Sequence, residues 1–191
     1  MDAALLADGR RHVALQRFDE DLAAQQRSAG CPRCGAKLHW ARYPRKPRGV
    51  PRQWLAQYER RASLCCARRE CRKRATPASV RCLGPKVYLA VVVVLIAALR
   101  CGPTPARVRT LQQLVGVDRH TNMRWRQWWT RTLMDTPFWR QASAGLMPPV
   151  AVGVLHAALL ERFAGGARDR LLGLLRWLAP VSTATGAVHA G

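Results

Sequence analysis

The residues best suited to chemistry are four cysteines in two close pairs. Cys31 and Cys34 are separated by two residues and followed by Gly35, whereas Cys66 and Cys71 are separated by four residues. A thiolate pair at such a spacing can hold one tetrahedral ion at about 2.3 Å, and a second pair completes the coordination. The spacing therefore predicts a Zn²⁺ site with all four of these cysteines as ligands.

Four thiolates leave no coordination position for a water molecule, so the predicted zinc is structural. Cys65 competes with Cys66 for the third ligand position, because both precede Cys71 at a similar spacing. The cysteines could also be buried free thiols, or Cys31 and Cys34 could form a redox pair. A redox pair normally accompanies a βαβ pattern, which this sequence lacks.

The other cysteines and the start of the chain indicate a reducing compartment. The total of seven cysteines is odd, and residues 1–24 lack the apolar segment of a signal peptide. We therefore expect a cytoplasmic protein. Cys82 and Cys101 have no partner at ligand spacing and are expected in the core, and His39 is expected in a strand rather than at the metal.

The charge balance indicates a polyanionic partner. The chain carries 32 Lys and Arg against 11 Asp and Glu, a net charge of +21, although 49% of its 191 residues are hydrophobic. Such a chain can bury a core while its surface attracts nucleic acid, with an acidic membrane surface as the second choice. The apolar run Val87–Leu99 would span about 20 Å as a helix, too short for a membrane of about 30 Å. We expect it to be a buried helix, or else a buried strand, and expect no membrane role.

Much of the positive charge lies between and around the cysteine pairs. Residues 42–74 contain twelve Lys and Arg against two Glu, a net charge of +10. Prolines keep part of this segment extended, and Arg45, Lys46 and Arg48 are predicted to contact DNA phosphates or enter a narrow minor groove. A solvated loop is the alternative interpretation.

A second motif, Val108–Trp129, has the pattern of a helix-turn-helix. Gly116 occupies the turn, where positive φ is needed, and Asp118 can cap the second helix. Four apolar positions fall where the two helices must touch: Leu111, Val115, Val117 and Trp125. The outward positions of the second helix predicted to bind DNA are Arg119, His120, Arg124 and Gln127.

Aromatic residues have two possible roles in this chain. Trp125, Trp128 and Trp129 share one helical face, and this spacing predicts a core position. The alternative is a platform for single-stranded nucleic acid, for which exposed aromatics would have to accompany the basic segment. Candidates for such a platform in that segment are Tyr43, Trp54 and Tyr58.

The predicted fold is mostly α with a small β zinc ribbon. The ribbon is expected to pair a strand at His39–Tyr43 with a return strand at Gln57–Cys66, and short helices are expected near Val150–Phe163 and Asp169–Leu178. The predicted divisions are an N-terminal helical segment of one or two short helices (1–28), the zinc ribbon (29–80), the helix-turn-helix domain (84–146), a C-terminal helical segment (147–180) and a flexible tail (181–191). The C-terminal helices could mediate homodimerisation or close the core.

The order of these motifs resembles the N-terminal DNA-binding module of zinc-ribbon insertion-sequence transposases and related short mobile-element-associated proteins. The resemblance covers Cys31 to about Trp129 and includes Arg72-Lys73-Arg74, the stretch Thr76–Val80 and Leu-Val-Gly-Val-Asp-Arg-His-Thr at 114–121. It implies zinc held by the four cysteines and element DNA contacted by Arg119, His120 and Arg124.

The resemblance does not carry over catalysis. Transposases of this kind cut DNA with three carboxylates that hold two metal ions on a large domain, whereas the acidic residues here from Asp135 onward are Asp135, Glu161 and Asp169. We therefore expect a double-stranded DNA-binding protein without its own catalytic domain, associated with the nucleoid, with a transposase or recombinase as its candidate protein partner. The alternatives are a nuclease or recombinase subunit completed by a partner chain, and a non-specific RNA or single-strand binder.

Overall fold

The computed structural model describes residues 8–44, 46, 49–83, 105–146, 148, 150 and 155–184. The predicted buried helix Val87–Leu99 and Cys101 lie outside these residues. Within the described part, the protein is mostly α-helical with small antiparallel sheets, as the sequence predicts.

The helices have the following bounds: α1 Gly9–Ala29, α2 Leu55–Tyr58, α3 Pro105–Val115, α4 Arg119–Gln127, α5 Pro137–Ser143, α6 Leu155–Leu160, α7 Ala167–Leu178 and α8 Val181–Ala184. A 3₁₀ turn, Arg52–Trp54, precedes α2, and a π-helical turn, Trp128–Thr132, continues α4. The strands are β1 Leu38–Trp40, β2 Tyr43–Pro44, β3 Arg60–Arg61, β4 Leu64–Cys66 and β5 Arg74–Ala75. No described helix has both the length and the apolar character needed to cross a membrane.

The N-terminal segment forms one helix of 21 residues, not one or two short ones. The Asp8 carboxylate caps its start by accepting a hydrogen bond of 3.0 Å from the Arg10 backbone N–H. Gly30 ends the helix at a φ of +80°, and a Cβ there would lie 2.6 Å from the Gly35 carbonyl oxygen. Glycine is therefore required where the helix ends and residues 31–75, which we call the cysteine segment, begin.

A buried carboxylate holds α1 to the rest of the protein. Asp19 accepts hydrogen bonds of 2.7 Å from the Ser79 hydroxyl, the Val80 backbone N–H and the Arg81 Nε. Burial disfavours the charged form of Arg81, but the facing carboxylate keeps the pKa of its guanidinium above the ordinary value. The helix is thus fixed to the chain that follows the cysteine segment.

The cysteine segment forms two small antiparallel sheets. One has the strand order β1-β4-β5, with Leu38 opposite Cys66 and Leu64 opposite Ala75, and the other pairs β2 with β3. The expected long strands His39–Tyr43 and Gln57–Cys66 are wrong in extent. Pro51 begins the 3₁₀ turn, its carbonyl accepting from the Trp54 backbone N–H at 2.9 Å, and α2 replaces the first part of the return strand.

The described part of the chain has two hydrophobic clusters. The larger one contains residues from α1, from the chain around the 3₁₀ turn and α2, from the stretch after β5 and from the helices of the C-terminal half. Among them, Leu15, Trp129 and Leu155 are fully or almost fully buried. The smaller one consists of Cys31, Cys66, Leu38, Leu64 and Ala75. The cysteine segment therefore has very few buried apolar side chains of its own.

The C-terminal helices contribute buried side chains to the larger hydrophobic cluster. Their buried residues include Leu155, Leu159 and the α7 leucines at 171, 174, 175 and 178. The expected flexible tail is wrong at its start, because Val181–Ala184 forms a helical turn in which Val181 and Ser182 are buried. These helices close the core of the described structure, and dimerisation through them stays a prediction.

Candidate metal centre and basic surface

Four cysteines lie together at one end of the cysteine segment. The Sγ atoms of Cys31, Cys34, Cys66 and Cys71 are all within 4.8 Å of one another. The Cys34–Cys66 and Cys31–Cys71 sulfur distances are 3.5 and 3.7 Å. Sulfurs at 2.3 Å from a tetrahedral ion lie about 3.8 Å apart, and a disulfide is near 2.05 Å. The four thiols are therefore close enough to bind a metal ion, and their spacing is that of ligands rather than of disulfides.

Each pair is placed by a tight turn. The Cys31 backbone N–H donates to the Ala36 carbonyl at 2.9 Å, and the Gly35 N–H donates to the Cys31 carbonyl at 2.8 Å. In the second turn the Cys71 and Arg72 N–H groups both donate to the Arg68 carbonyl, at 3.1 and 3.0 Å. Each turn is followed by left-handed backbone. The glycine after the first pair has φ +71°, and Arg72 after the second has φ +42°.

The structure selects Cys66 over Cys65 as the third member of the cluster. Neighbouring residues of a strand point to opposite sides, and Cys65 lies opposite His39 in the register while Cys66 lies opposite the buried Leu38. The Cys65 sulfur instead lies 3.9 Å from the Arg72 carbonyl oxygen. His39 is exposed and is not in the cluster.

The backbone and the burial of the cluster act on its thiols in opposite directions. A backbone hydrogen bond at Arg33 lowers the pKa of Cys31 to about 7, outweighing its desolvation. Burial raises the pKa of Cys66 to about 12. A neutral buried thiol and an easily ionised one thus share the site, and a cation among them would stabilise the thiolate form of both.

The residues predicted to contact DNA lie on exposed surfaces where the structure describes them. Lys46 is exposed, and Arg45 and Arg48 lie outside the described residues. On α4 the exposed side chains are Arg119, His120, Met123, Arg124 and Gln127. Their exposure makes one side of α4 basic and polar.

Two valines at the turn between α3 and α4 and one residue on the opposite side of α4 are buried. Val115, Val117 and Trp125 are buried, and Gly116 has a φ of +64° between the two helices. The Asp118 carboxylate accepts a hydrogen bond of 2.6 Å from the Thr121 backbone N–H. This bond and the Thr121 hydroxyl lower the pKa of Asp118, so the cap is ionised at neutral pH.

The predicted core role of the tryptophan face is confirmed in the described structure. Trp125 and Trp129 are buried, and Trp128 is half-buried with its ring 5.1 Å from that of Trp129. Tyr58 is buried too, and Trp54 is half-buried and stacked 4.9 Å from the His12 ring. Trp54 and Tyr58 therefore do not form the exposed platform that single-strand binding would need.

Gly49, which follows the basic residues predicted to contact DNA, packs against α4 and the turn before it. Gly49 has a φ of +74°, and a Cβ on it would lie 2.9 Å from the Trp125 ring and 3.8 Å from Val117. Val50 is buried in the same hydrophobic core. Gly49 is thereby packed against Trp125 of α4.

The three carboxylates considered for catalysis are exposed and separate. The Asp169 carboxylate accepts a hydrogen bond of 3.3 Å from the Gly166 backbone N–H at the start of α7. Asp135, Glu161 and Asp169 do not belong to any cluster with metal-binding spacing within the described ranges.

Sequence reasoning missed Trp40 and the buried arginines. Trp40 is an exposed aromatic residue with two guanidinium groups near its ring. The one signal for it in the sequence is the arginine two positions later, Arg42. Arg11, Arg61 and Arg81 are buried, which composition alone does not indicate.

Comparison with known proteins supplies no relative: no protein-family model, no curated protein and no solved structure matches the chain.

Proposed function

We propose that this chain is a zinc-stabilised protein that binds double-stranded DNA, built from a zinc ribbon and a helix-turn-helix. In this proposal it recognises the DNA of a mobile element, alone or beside a transposase or recombinase, and has no catalytic domain of its own. The observation that carries the proposal is the two-sided character of α4. Trp125 on its inner side is buried, while Arg119, His120, Arg124 and Gln127 face solvent beside a capped turn.

The position of these side chains fits a recognition helix. The N-terminal part of such a helix enters the major groove, where arginine can donate two hydrogen bonds to guanine. Arg119 and His120 lie in the first turn of α4, and Arg124 and Gln127 lie on the following turns. The Arg124 guanidinium donates to the Thr121 hydroxyl at 3.1 Å, which orients it along the helix surface.

The charge and the metal centre support the same function. A net charge of +21 favours a polyanion, and phosphate contacts supply most of the non-specific affinity of DNA-binding proteins. Zn²⁺ is our choice of metal because four soft thiolates in tetrahedral spacing suit it and close its coordination. In this role the zinc fixes the loops that bear the basic residues, and Gly49 contacts Trp125 of α4.

The first experiment measures the salt dependence of binding to a labelled blunt duplex by fluorescence anisotropy. The logarithm of the affinity is expected to fall with the logarithm of salt concentration by about 0.9 per neutralised phosphate. A flat response would contradict duplex binding. The measurement is repeated with single strands of the same length, and stronger binding to the blunt duplex is expected.

The second experiment tests the recognition helix after a preferred sequence has been selected from random duplexes. Arg124→Gln is expected to cost about 1–3 kcal/mol at the preferred site and less at unrelated sequences. Arg168→Gln, which removes an exposed arginine at the start of α7, is the matched control and should have little effect. An equal loss on every sequence would reduce Arg124 to a phosphate contact.

A further inference from the structure

Trp40 is exposed without a structural role in either core. It ends β1 with 42% of its surface accessible, and neither hydrophobic cluster of the described residues includes it. An indole has a large apolar surface, and leaving it in water forgoes the stabilisation that burial would give. Exposed aromatic rings in a strongly basic protein are suited to stacking on nucleobases.

Two arginines lie over the ring of Trp40. The guanidinium carbon of Arg27 is 5.5 Å from the ring centroid and that of Arg42 is 5.7 Å away. Both distances lie within the roughly 6 Å of a cation–π contact, so each guanidinium lies over the ring. Both arginines are exposed, and the stated accessibility of Trp40 holds with them in place. A planar ligand can therefore stack on the indole by displacing one of these exposed side chains, and both cations stay close enough to bind its phosphate.

A cavity of about 390 Å³ opens beside this ring. Its lining includes Trp40 and the arginines Arg42, Arg60 and Arg81, together with the acidic residues Asp19, Glu20 and Glu59. Asp19 already accepts hydrogen bonds from Ser79, Val80 and Arg81, so Glu20 and Glu59 are the carboxylates that a ligand would use. The volume is sufficient for one nucleotide. The carboxylates can accept hydrogen bonds from an exocyclic amino group and repel phosphate, which the arginines attract. Such a wall would direct a base inward and its phosphate toward the arginines.

We propose that this cavity binds one unpaired base of a nucleic-acid strand, stacked on Trp40. The base must be unpaired, because a base inside a duplex already stacks on both neighbours and does not present its face. The carboxylates favour cytosine, adenine or guanine over thymine, which lacks an exocyclic amino group. This site lies on the cysteine segment and α1, is separate from α4, and does not depend on the duplex-binding function proposed above.

The test compares a labelled 12-nucleotide oligocytidylate, as deoxy and as ribo strand, with a blunt duplex. Trp40→Ala is expected to weaken binding of a single strand about tenfold or more, since each stacked base contributes substantially to affinity. Trp40→Phe should retain most of the binding, and affinity for the blunt duplex should be unchanged. Val13→Ala, which shortens another exposed apolar side chain, is the control.

The proposal is overturned if Trp40→Ala binds both single strands as tightly as the native chain, or loses single strands and blunt duplex equally. Metal content and thermal melting are measured on each variant.

The native chain is also irradiated with an oligonucleotide that contains 5-iododeoxycytidine, and the cross-linked peptide is identified by mass spectrometry. A cross-link at Trp40 supports the proposal even if the alanine variant does not fold, whereas cross-links confined to α4 refute it. Arg124→Gln should leave single-strand binding intact, so failure of either proposal is recognised separately.

Discussion

The adjacent residues Cys65 and Cys66 provide a matched test of the metal centre. Cys66→Ser removes a member of the four-sulfur cluster, whereas Cys65→Ser removes an identical thiol one residue away that lies outside it. Both changes replace sulfur by oxygen at neighbouring positions of β4. A difference between the two variants therefore reports on metal ligation rather than on the general cost of losing a cysteine.

The size of the expected effect follows from the composition of the smaller core. Its buried side chains besides the cysteines are Leu38, Leu64 and Ala75. Burial of each leucine contributes about 1.5–3 kcal/mol, whereas a structural zinc contributes about 10–16 kcal/mol. Loss of one ligand removes most of that larger contribution. We therefore expect Cys66→Ser to unfold the turns and strands around the cluster, residues 31–40 and 64–75. The larger core, which includes Val50 and Tyr58 between them, should stay folded.

The assay combines metal analysis with limited trypsin digestion. The native chain and Cys65→Ser are expected to bind about one zinc per chain and to resist cleavage in the cysteine segment. Cys66→Ser should lose the metal, and its Lys–X and Arg–X bonds in residues 31–40 and 64–75 should be cut early. Most of the helical circular dichroism should persist. The reasoning is refuted if Cys66→Ser keeps its zinc and its resistance, or if Cys65→Ser loses them.

Two further changes test how the segments are joined. Asp19→Asn should cost about 3–5 kcal/mol in chemical denaturation because it leaves the buried charge of Arg81 without a carboxylate, whereas Asp21→Asn on the exposed side of the same helix should cost less than about 0.5 kcal/mol. Gly49→Ala should lower the melting temperature, since it combines positive φ with a contact of 2.9 Å to the ring of Trp125, and an unchanged melting temperature would contradict that packing.

Much of the candidate site follows from local sequence. The spacing of Cys31 and Cys34 and the glycine after them specify a tight turn, and Gly116 and Asp118 specify the turn and cap before α4. Each of these signals involves residues within about five positions of one another. Turn geometry and capping depend on such near neighbours, so the sequence can predict them.

The choice between Cys65 and Cys66 is different, because spacing permits either. It is decided by which side of β4 faces Leu38, and that depends on the register with a strand more than twenty residues earlier. The sequence pattern likewise does not predict the π-helical turn at Trp128–Thr132. Its extra residue brings the Leu133 N–H to the Trp128 carbonyl at 2.8 Å, but the apolar pattern still fits an ordinary α-helix.

The buried arginines explain why composition overstated the surface charge. The Arg61 guanidinium donates to the Pro77 and Ser182 carbonyl oxygens at 3.4 and 3.3 Å, and Arg81 donates to the Gln57 carbonyl at 2.8 Å as well as to Asp19. These residues lie up to 121 positions apart along the chain. Carbonyl oxygens stabilise a buried guanidinium through several directed hydrogen bonds, which a lysine cannot match with its point charge. Some of the positive residues therefore join the cysteine segment to the helices, and the remainder form the surface that we propose binds DNA.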